Sequence, residues 1–270
     1  MSQSAASLID IERYPIVGNP GALAEVIKRE SCLFREKGVC ILPGFLRSES
    51  VQQMCAEANE LAKQAYSVDL KSEQRPYRGP IDESFPENHP HRRTRIMENK
   101  FNVIAYDQFP LDSLIRRLYE WDPLMEFFGG ILDYPRIYRF ADKLSALNLT
   151  TMTKGGIQDW HFDSCDFVVS LALQSSEKGG NFECAPKIRT TTDENYETVS
   201  KVITGEDTSI VQAYPMTPGT LMLFAGRFSL HRVSRVEGDT PRHVSLLAYD
   251  TKPGTTNPDK AKLNRYGRMG

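Results

Sequence analysis

The stretch GTLMLFAGRFSLHRVSRVEGDTPRHVSLLAYD, residues 219–250, decides the fold. It contains three short runs of β-forming and other apolar residues, and each run is bounded by a turn signal that contains Gly or Pro. Runs of the same kind begin after residue 135, and only residues 190–206 interrupt them with a helical pattern. About seven strands without longer helices between them predict an antiparallel sandwich or barrel of the jelly-roll kind.

The N-terminal half has a different pattern. Residues 19–66 predict a helix, a short strand and a second helix, because apolar positions recur at helical spacing on both sides of VCILPGF. Residues 68–100 are polar, rich in Pro and Arg and without a period, which predicts a long surface loop. The expected organisation is one mainly β domain with helical support and a lid loop over residues 1–134, a jelly-roll core over 135–252 and a fraying tail over 253–270.

Composition and charge argue against several classes of function. The 270-residue chain is 40% hydrophobic and 25% charged, and its net charge of −2 gives no general attraction to nucleic acid or to a membrane surface. No apolar run predicts a transmembrane helix, and the N-terminus lacks the pattern of a signal peptide. The five cysteines show no CxxC spacing, which is typical of reduced thiols in a cytoplasmic protein. We therefore expect a cytoplasmic protein with a small-molecule partner, of undetermined oligomeric state.

A candidate metal site begins in DWHFDSCDF, residues 159–167. Residues i and i+2 of a strand project from the same face, so His161 and Asp163 would point together. A His-x-Asp pair alone is weak support, but His231 lies on a later strand that can be adjacent in a jelly roll. Two imidazoles and one carboxylate leave half of a coordination sphere open, which suits non-haem Fe(II) that binds a cosubstrate and O₂.

Arg242 is the next candidate, because it opens the apolar strand RHVSLLAYD. A buried arginine is costly unless it meets an anion, and its planar guanidinium fits a carboxylate through two parallel hydrogen bonds. A dicarboxylate that chelates the metal and reaches Arg242 would satisfy both groups, whereas a salt bridge to a protein carboxylate is the alternative. Three further polar residues could face this cosubstrate: Asn148, Thr240 and Ser245.

His161-x-Asp163, His231 and Arg242 resemble the signature of the Fe(II)/2-oxoglutarate-dependent oxygenases. The blocks GVCILPGFL, WHFDSCDFVVSLALQ, GGNFECAPKIR and PGTLMLFAGRFSLHRVSRVEGDTPRH more narrowly resemble the BesD-like group of free amino-acid halogenases and hydroxylases, over about residues 30–252. The resemblance implies a double-stranded β-helix (a cupin-like jelly roll). It also implies Fe(II), 2-oxoglutarate as cosubstrate, O₂, and oxidation of an unactivated C–H bond.

The residue at position 163 separates two reactions within that group. The halogenases that this chain resembles have Gly or Ala where the ligand carboxylate would be, which leaves a coordination position for chloride. Asp163 fills that position here, and an anionic oxygen ligand excludes a halide by occupancy and by charge. The sequence therefore predicts hydroxylation rather than chlorination, and it leaves desaturation and ring closure open.

We expect the first strands and the long loop to form the substrate pocket, for an amino acid or a related small polar metabolite. In amino-acid-acting relatives, as the resemblance implies, an acidic residue directly after the metal-binding triplet meets the substrate amine. This chain has Ser164 there, and Asp166 could take over. Arg78, Arg92 and Arg93 could bind a substrate carboxylate or phosphate. The predicted substrate contacts are Tyr138, Gln158, Trp160, Ser164, Asp166 and Arg78.

Two hypotheses from other classes compete with the oxygenase. A cupin-type metal-dependent isomerase or epimerase could use the same barrel, but it would usually show His-x-His with a nearby Glu, which the sequence lacks at strand spacing. A non-catalytic jelly-roll binding module would carry an accidental or vestigial His-x-Asp pair, and it would neither bind Fe(II) nor turn over 2-oxoglutarate.

Overall fold

The structure is a computed structural model that describes residues 4–74, 76–78, 83–87, 89 and 93–270. Arg92 and part of the predicted 68–100 loop lie outside the described residues. The helices are α1 (Ala5–Leu8), α2 (Pro20–Lys37), α3 (Ser48–Ala62), α4 (Leu114–Tyr119), α5 (Asp122–Leu132), α6 (Tyr196–Thr204) and α7 (Asp259–Tyr266). The strands are β1 (Val39–Leu42), β2 (Tyr66–Gln74), β3 (Arg95–Ile104), β4 (Tyr138–Arg139), β5 (Leu147–Met152), β6 (Ile157–His161), β7 (Val168–Gln174), β8 (Phe182–Ala185), β9 (Gln212–Tyr214), β10 (Leu221–Phe224), β11 (Leu230–Val233), β12 (Arg242–Leu247) and β13 (Tyr249–Asp250).

One curled antiparallel sheet dominates the described part of the chain. Its strands follow the order β1-β10-β7-β12-β5-β3-β6-β11-β8-β9, and β2 pairs with β3 beside this path. Strand β3 joins the two halves of the curl, because its residues 102–104 pair with β5 whereas residues 99–100 pair with β6. The jelly-roll prediction is confirmed, and the curl brings β6 and β11 to face β7 and β12 across an interior space.

The helices of the N-terminal half cover the outer face of the sheet. Helix α2 begins where Asn19 Oδ1 accepts a hydrogen bond from the Ala22 amide, and it ends at Gly38, whose φ of 68° lets the chain turn into β1. Helix α2 packs against α5, and α3 packs against β5 and β7. The predicted helix-strand-helix order of residues 19–66 is thereby confirmed, as is the helical insertion, which is α6.

Alternation along the central strands separates two environments. Leu171, Leu223 and Leu247 belong to the large apolar cluster under the helices. Their neighbours Ser170, Met222 and Leu246 project to the opposite face and line the interior cavity. The same strands therefore build both the core and the wall of the site.

Two predictions about the N-terminal and C-terminal parts are wrong. Strands β2 and β3 form a hairpin from Tyr66↔Val103 to Gln74↔Arg95, where a loop was expected. A polar sequence does not prevent pairing, because the ladder uses backbone groups, and Val68 and Phe101 supply a small apolar face. The tail does not fray, because α7 packs on β2 and β3 through buried Tyr266. Among the described helices, none has the length and apolar character required to cross a membrane.

Candidate metal centre and adjoining cleft

The curled sheet brings the three predicted metal ligands together. His161 ends β6, and its Cα partner across the ladder is His231 of β11. Asp163 lies two residues beyond β6, where its amide donates to the Gly226 carbonyl at 3.2 Å. One ligand atom from each of the three side chains lies within 4.8 Å of the others. Gly226 leaves room for the carboxylate, because a Cβ there would lie 2.6 Å from Asp163 Oδ2.

Hydrogen bonds to backbone carbonyls fix both imidazoles in the form that binds a metal. Nδ1 of His161 lies 2.7 Å from the Asp159 carbonyl, and Nδ1 of His231 lies 2.9 Å from the Ser229 carbonyl. A carbonyl only accepts, so each Nδ1 carries the proton and donates it. The lone pair of each ring is thereby left on Nε2, and such outer hydrogen bonds are typical of metal-binding histidines.

The charges of the site favour a cation at this point. His231 Nε2 lies 3.1 Å from Asp163 Oδ2 and His161 Nε2 lies 3.9 Å from Asp163 Oδ1, so the three side chains are close enough to share one cation. Burial and the adjacent His231 lower the pKa of His161 to about 4, which keeps that ring neutral at pH 7. Burial opposes ionisation of Asp163, but its interactions with the two histidines outweigh this effect and lower its pKa to about 2. Two imidazoles and a carboxylate are a donor set for a divalent transition metal.

Arg242 faces the same interior cavity as the triad. The cavity has a volume of about 90 Å³, and its lining includes His161, Asp163, His231 and Arg242. Arg242 is 6% exposed, and burial lowers its pKa to about 10, so it remains charged at neutral pH. No carboxylate of the described residues lies within ion-pair distance of its guanidinium, so the alternative of a protein salt bridge is not observed among them. A buried cation without an anion fits a bound carboxylate.

Ser170 is a candidate that the sequence analysis missed. It lies on β7, lines the cavity, and its buried Oγ has no hydrogen-bond partner among the described residues. An unsatisfied buried hydroxyl costs free energy and is readily explained by a ligand that accepts its proton. The signal was present in the sequence, since Ser170 interrupts the apolar run of β7.

The three other predicted cosubstrate residues do not face Arg242 as expected. Ser245 lies on the opposite face of β12, where its hydroxyl donates to the Asn148 carbonyl at 3.0 Å. Thr240 is exposed in the preceding turn, and its amide donates to the carboxylate of Glu177. Asn148 is buried, but its Oδ1 accepts from Arg265 Nε at 3.1 Å and from the Tyr266 hydroxyl. The predictions for Ser245 and Thr240 are wrong because strand alternation and the turn direct them elsewhere, whereas Asn148 holds helix α7.

A larger cleft of about 730 Å³ opens beside the metal site. Among the predicted substrate contacts, Arg78, Gln158, Trp160 and Ser164 line it together with His161 and Asp163. The amide of Gln158 donates to His161 Nε2 at 3.1 Å, and the ring of Trp160 lies under the guanidinium of Arg232.

Two predicted substrate contacts lie outside the cleft. Tyr138 belongs to β4, which pairs with β13 in a separate two-stranded sheet, and it does not line the cleft. Asp166 does not line it either, because its carboxylate forms an ion pair with Arg227. Ser164 and Asp166 do not share a strand face, since β6 ends at His161. As the resemblance implies, amino-acid-acting relatives have an acidic residue at the position of Ser164. Asp166 could take over its role only by breaking the ion pair with Arg227.

A comparison with protein families identifies the lineage of the chain. A family model described as Halogenase D matches residues 23–264. The chain belongs to the Halogenase D family. No curated protein matches the chain.

Solved structures confirm the fold of this Halogenase D family member. AviO1 from Streptomyces viridochromogenes Tue57 is similar with a TM-score of 0.58 at 14% identity, covering 87% of this chain and 97% of AviO1. A Trichoplax adhaerens prolyl hydroxylase in complex with a hypoxia-inducible factor peptide is similar with a TM-score of 0.57 at 14% identity, covering 87% and 95%. The epimerase SnoN from nogalamycin biosynthesis, in complex with Fe³⁺, alpha-ketoglutarate and nogalamycin RO, has a TM-score of 0.55 at 16% identity, covering 89% and 93%.

The family match covers most of the chain, and the structural likenesses confirm the predicted fold, whereas the assignment to the Fe(II)/2-oxoglutarate-dependent oxygenases belongs to the proposed function. The predicted cofactors, iron and 2-oxoglutarate, are those named for the SnoN complex. The hydroxylase-type assignment within the group stays a prediction.

Proposed function

We propose that the chain is a single-domain non-haem Fe(II)/2-oxoglutarate-dependent oxygenase that hydroxylates a C–H bond of a free amino acid or a related small polar metabolite. One observation carries the proposal. His161, Asp163 and His231 converge in the cavity that also contains Arg242, a buried cation without an anionic partner among the described residues. The site thus offers a donor set for a divalent metal and a separate group for the far carboxylate of a metal-chelating dicarboxylate.

Each side chain has a defined task in this proposal. His161, Asp163 and His231 hold Fe(II), and the Asp159 and Ser229 carbonyls keep the two rings oriented. Arg242 binds the far carboxylate of 2-oxoglutarate, and Ser170 donates a hydrogen bond to the bound cosubstrate. Iron with 2-oxoglutarate and O₂ supplies C–H oxidation coupled to decarboxylation of 2-oxoglutarate to succinate. The apolar strands that line the cavity, including Val244 and Leu246, exclude water from it.

Asp163 supports hydroxylation over chlorination, although the family carries the name of a halogenase. Its carboxylate lies between the two imidazoles, held by the amide bond to Gly226 and by the space that this glycine leaves. A carboxylate at this point occupies the coordination position that a chloride would need, and its negative charge repels a halide.

The test combines a binding measurement with a product measurement. Anaerobic addition of Fe(II) and 2-oxoglutarate should produce the weak visible band of chelated cosubstrate, and O₂ should then yield succinate.

The masses of the products formed with an amino-acid panel in chloride buffer are measured by mass spectrometry. We expect a gain of about 16 Da, one oxygen, where a halide is excluded from the metal. A gain of about 34 Da would mean that chlorine has replaced hydrogen at a metal with an open halide position. That result would overturn hydroxylation as the reaction type. An isomer of unchanged mass would point to an epimerase.

A further inference from the structure

The charged lining of the adjoining cleft is unbalanced toward arginine. In the part of the chain that the structure describes, it consists of Arg78, Arg189, Arg227, Arg265, Asp159 and Asp163. Asp163 is assigned to the metal, and the carboxylate of Asp159 accepts from the amides of Trp160 at 2.8 Å and Glu98 at 3.4 Å. A cationic substrate would therefore enter a cleft whose carboxylates are already engaged.

The arginines fall into two kinds. Arg78 forms an ion pair with Glu194 at 3.0 Å, and Arg227 forms one with Asp166 at 2.5 Å. For Arg189 and Arg265, no carboxylate of the described residues lies within ion-pair distance. Their hydrogen bonds within the protein go to neutral acceptors, which stabilise a guanidinium less than a contacting anion does. Glu194 acts on the charge of Arg189, and Asp163 on that of Arg265, only from beyond ion-pair distance.

Arg189 is the more deeply buried of these two. It is 7% exposed, its guanidinium stacks over the Phe162 ring at 3.6 Å, and burial together with Arg78 lowers its pKa to about 10. Nε donates to the Arg227 carbonyl at 2.8 Å and one terminal nitrogen donates to the Pro76 carbonyl at 3.3 Å. A guanidinium has five N–H groups, so the others have no acceptor among the described residues. The cost of burying this charge is met only in part by the protein.

Arg265 approaches the metal site from helix α7. It lines both the cleft and the interior cavity, where Nε donates to Asn148 Oδ1 at 3.1 Å and a terminal nitrogen donates to Thr150 Oγ1 at 3.2 Å. Its guanidinium also lies 5.2 Å from the centre of the Phe101 ring. The C-terminal helix therefore places a positive charge between the cleft and the metal.

We propose that the substrate is a small molecule of net negative charge, whose carboxylate or phosphate group binds Arg189, with Arg265 as a second positive contact nearer the metal. This inference rests on the proposed oxygenase function and narrows its substrate class. Acidic amino acids and phosphorylated amino acids fit this chemistry, whereas basic amino acids do not, since the cleft would place their positive charge among arginines.

The first test uses four probes with the Fe(II)-loaded protein. Succinate release is measured with L-glutamate, O-phospho-L-serine, L-leucine and L-lysine, and anaerobic calorimetry measures binding of the same four. We expect glutamate or phosphoserine to bind and to stimulate turnover. Which of the two binds with the lower Kd shows whether the cleft prefers a carboxylate or a phosphate group. Binding of lysine or leucine in preference to both anions, or binding of neither anion, would overturn the proposal.

The second test compares arginine variants. Arg189→Gln should raise the KM and the Kd of the anionic probe by about 10–100-fold, the effect of one lost charge-assisted hydrogen bond, and Arg189→Lys should recover part of the affinity. The affinity should also fall with ionic strength, because screening weakens a charge–charge contact. Arg35→Gln is the matched control, since Arg35 is exposed and pairs with Asp133 outside the cleft. Equal affinity of wild type and Arg189→Gln would remove Arg189 from the proposal.

Failure of this inference is distinguishable from failure of the proposed function. Without the visible band and without succinate from 2-oxoglutarate alone, the oxygenase assignment itself fails. With both present, but with no preference for anions, only the substrate class fails.

Discussion

The two faces of the strand pair β5–β12 differ in how their polar groups are satisfied. On the outer face, His243 contacts Thr151 Oγ1 at 3.0 Å and Asn59 Oδ1 at 3.1 Å, and Ser245 donates to a backbone carbonyl. On the cavity face of the same strands and of β7, Arg242 and the Oγ of Ser170 lack partners among the described residues.

Buried polar groups without a partner indicate that a ligand binds at the cavity face. Both faces are buried, so both incur the desolvation cost of polar groups. The outer face recovers this cost within the protein, whereas on the cavity face only Asn148 and Thr150 do so, through Arg265, and Arg242 and Ser170 do not. Arg242 and Ser170 recover it when metal and cosubstrate bind. Substitutions on the cavity face should therefore change binding, whereas substitutions on the outer face should change stability.

The largest expected effect belongs to Asp163→Ala. In chloride-free buffer, where no halide can replace the carboxylate, removing one of three protein ligands should weaken Fe(II) binding. The loss should exceed the roughly 10–100-fold that loss of an outer hydrogen-bond partner causes, and succinate formation should disappear. Iron titration and the visible band measure this. Asp133→Asn is the control, because Asp133 is exposed and pairs with Arg35. Unchanged iron affinity in Asp163→Ala would exclude the triad as the metal site.

Arg242→Met should have the next largest effect. It should raise the KM for 2-oxoglutarate by about 100-fold, corresponding to about 3 kcal/mol of charge-assisted hydrogen bonding, and leave Fe(II) affinity intact. The free energy of unfolding of the metal-free protein should not fall, because the variant removes a buried charge without a partner. A large loss of stability with no change in KM would mean that Arg242 is structural.

His243 offers the corresponding prediction for the outer face. Burial lowers its pKa to about 4, below the value of about 6.5 in the unfolded chain. Between these values the unfolded chain binds more protons, so the free energy of unfolding rises with pH and is lost as pH falls from about 6.5 to 4, by up to ~3 kcal/mol.

Urea titrations at several pH values measure this dependence. His243→Gln should have a smaller slope over that range than the wild type, and it should keep the wild-type KM for 2-oxoglutarate. If the free energy of unfolding of His243→Gln depends on pH as steeply as that of the wild type, His243 is not the cause of the pH dependence.

Ser170→Ala should have the smallest effect, and its two parts have opposite signs. Losing an unsatisfied hydroxyl should leave the metal-free protein as stable or more stable, by up to ~1 kcal/mol. The KM for 2-oxoglutarate should rise by about 2–10-fold, the value of one neutral hydrogen bond. Thermal unfolding and succinate kinetics measure the two effects. A destabilised variant with an unchanged KM for 2-oxoglutarate would mean that Ser170 stabilises the fold and does not contact the cosubstrate.

The sequence pattern predicted secondary structure correctly where the residues of an element determine its type by themselves. Apolar periodicity predicted the N-terminal helices, and short apolar runs between turn signals predicted the jelly roll. The hairpin β2–β3 was missed because its polar strands are fixed by pairing with each other and by packing of α7, not by their own composition.

The candidate site divides in the same way. The His-x-Asp spacing and the apolar setting of Arg242 are visible in the chain, and the structure places them in one cavity with His231. Ser245 and Thr240 were assigned by proximity in sequence to Arg242. Ser245 was lost to strand alternation, which the sequence could have indicated, whereas Thr240 was lost to the course of the turn.

The sequence by itself determined the element types, the jelly roll and the residues with metal-binding chemistry, because these depend on spacing and side-chain type. Only the tertiary structure decided that His231 stands opposite His161, that Ser170 shares the cavity of Arg242, and that Arg265 of the C-terminal helix reaches the site. These are contacts between residues far apart in the chain. The curl of the sheet and the docking of α7 set them, and no local pattern encodes them.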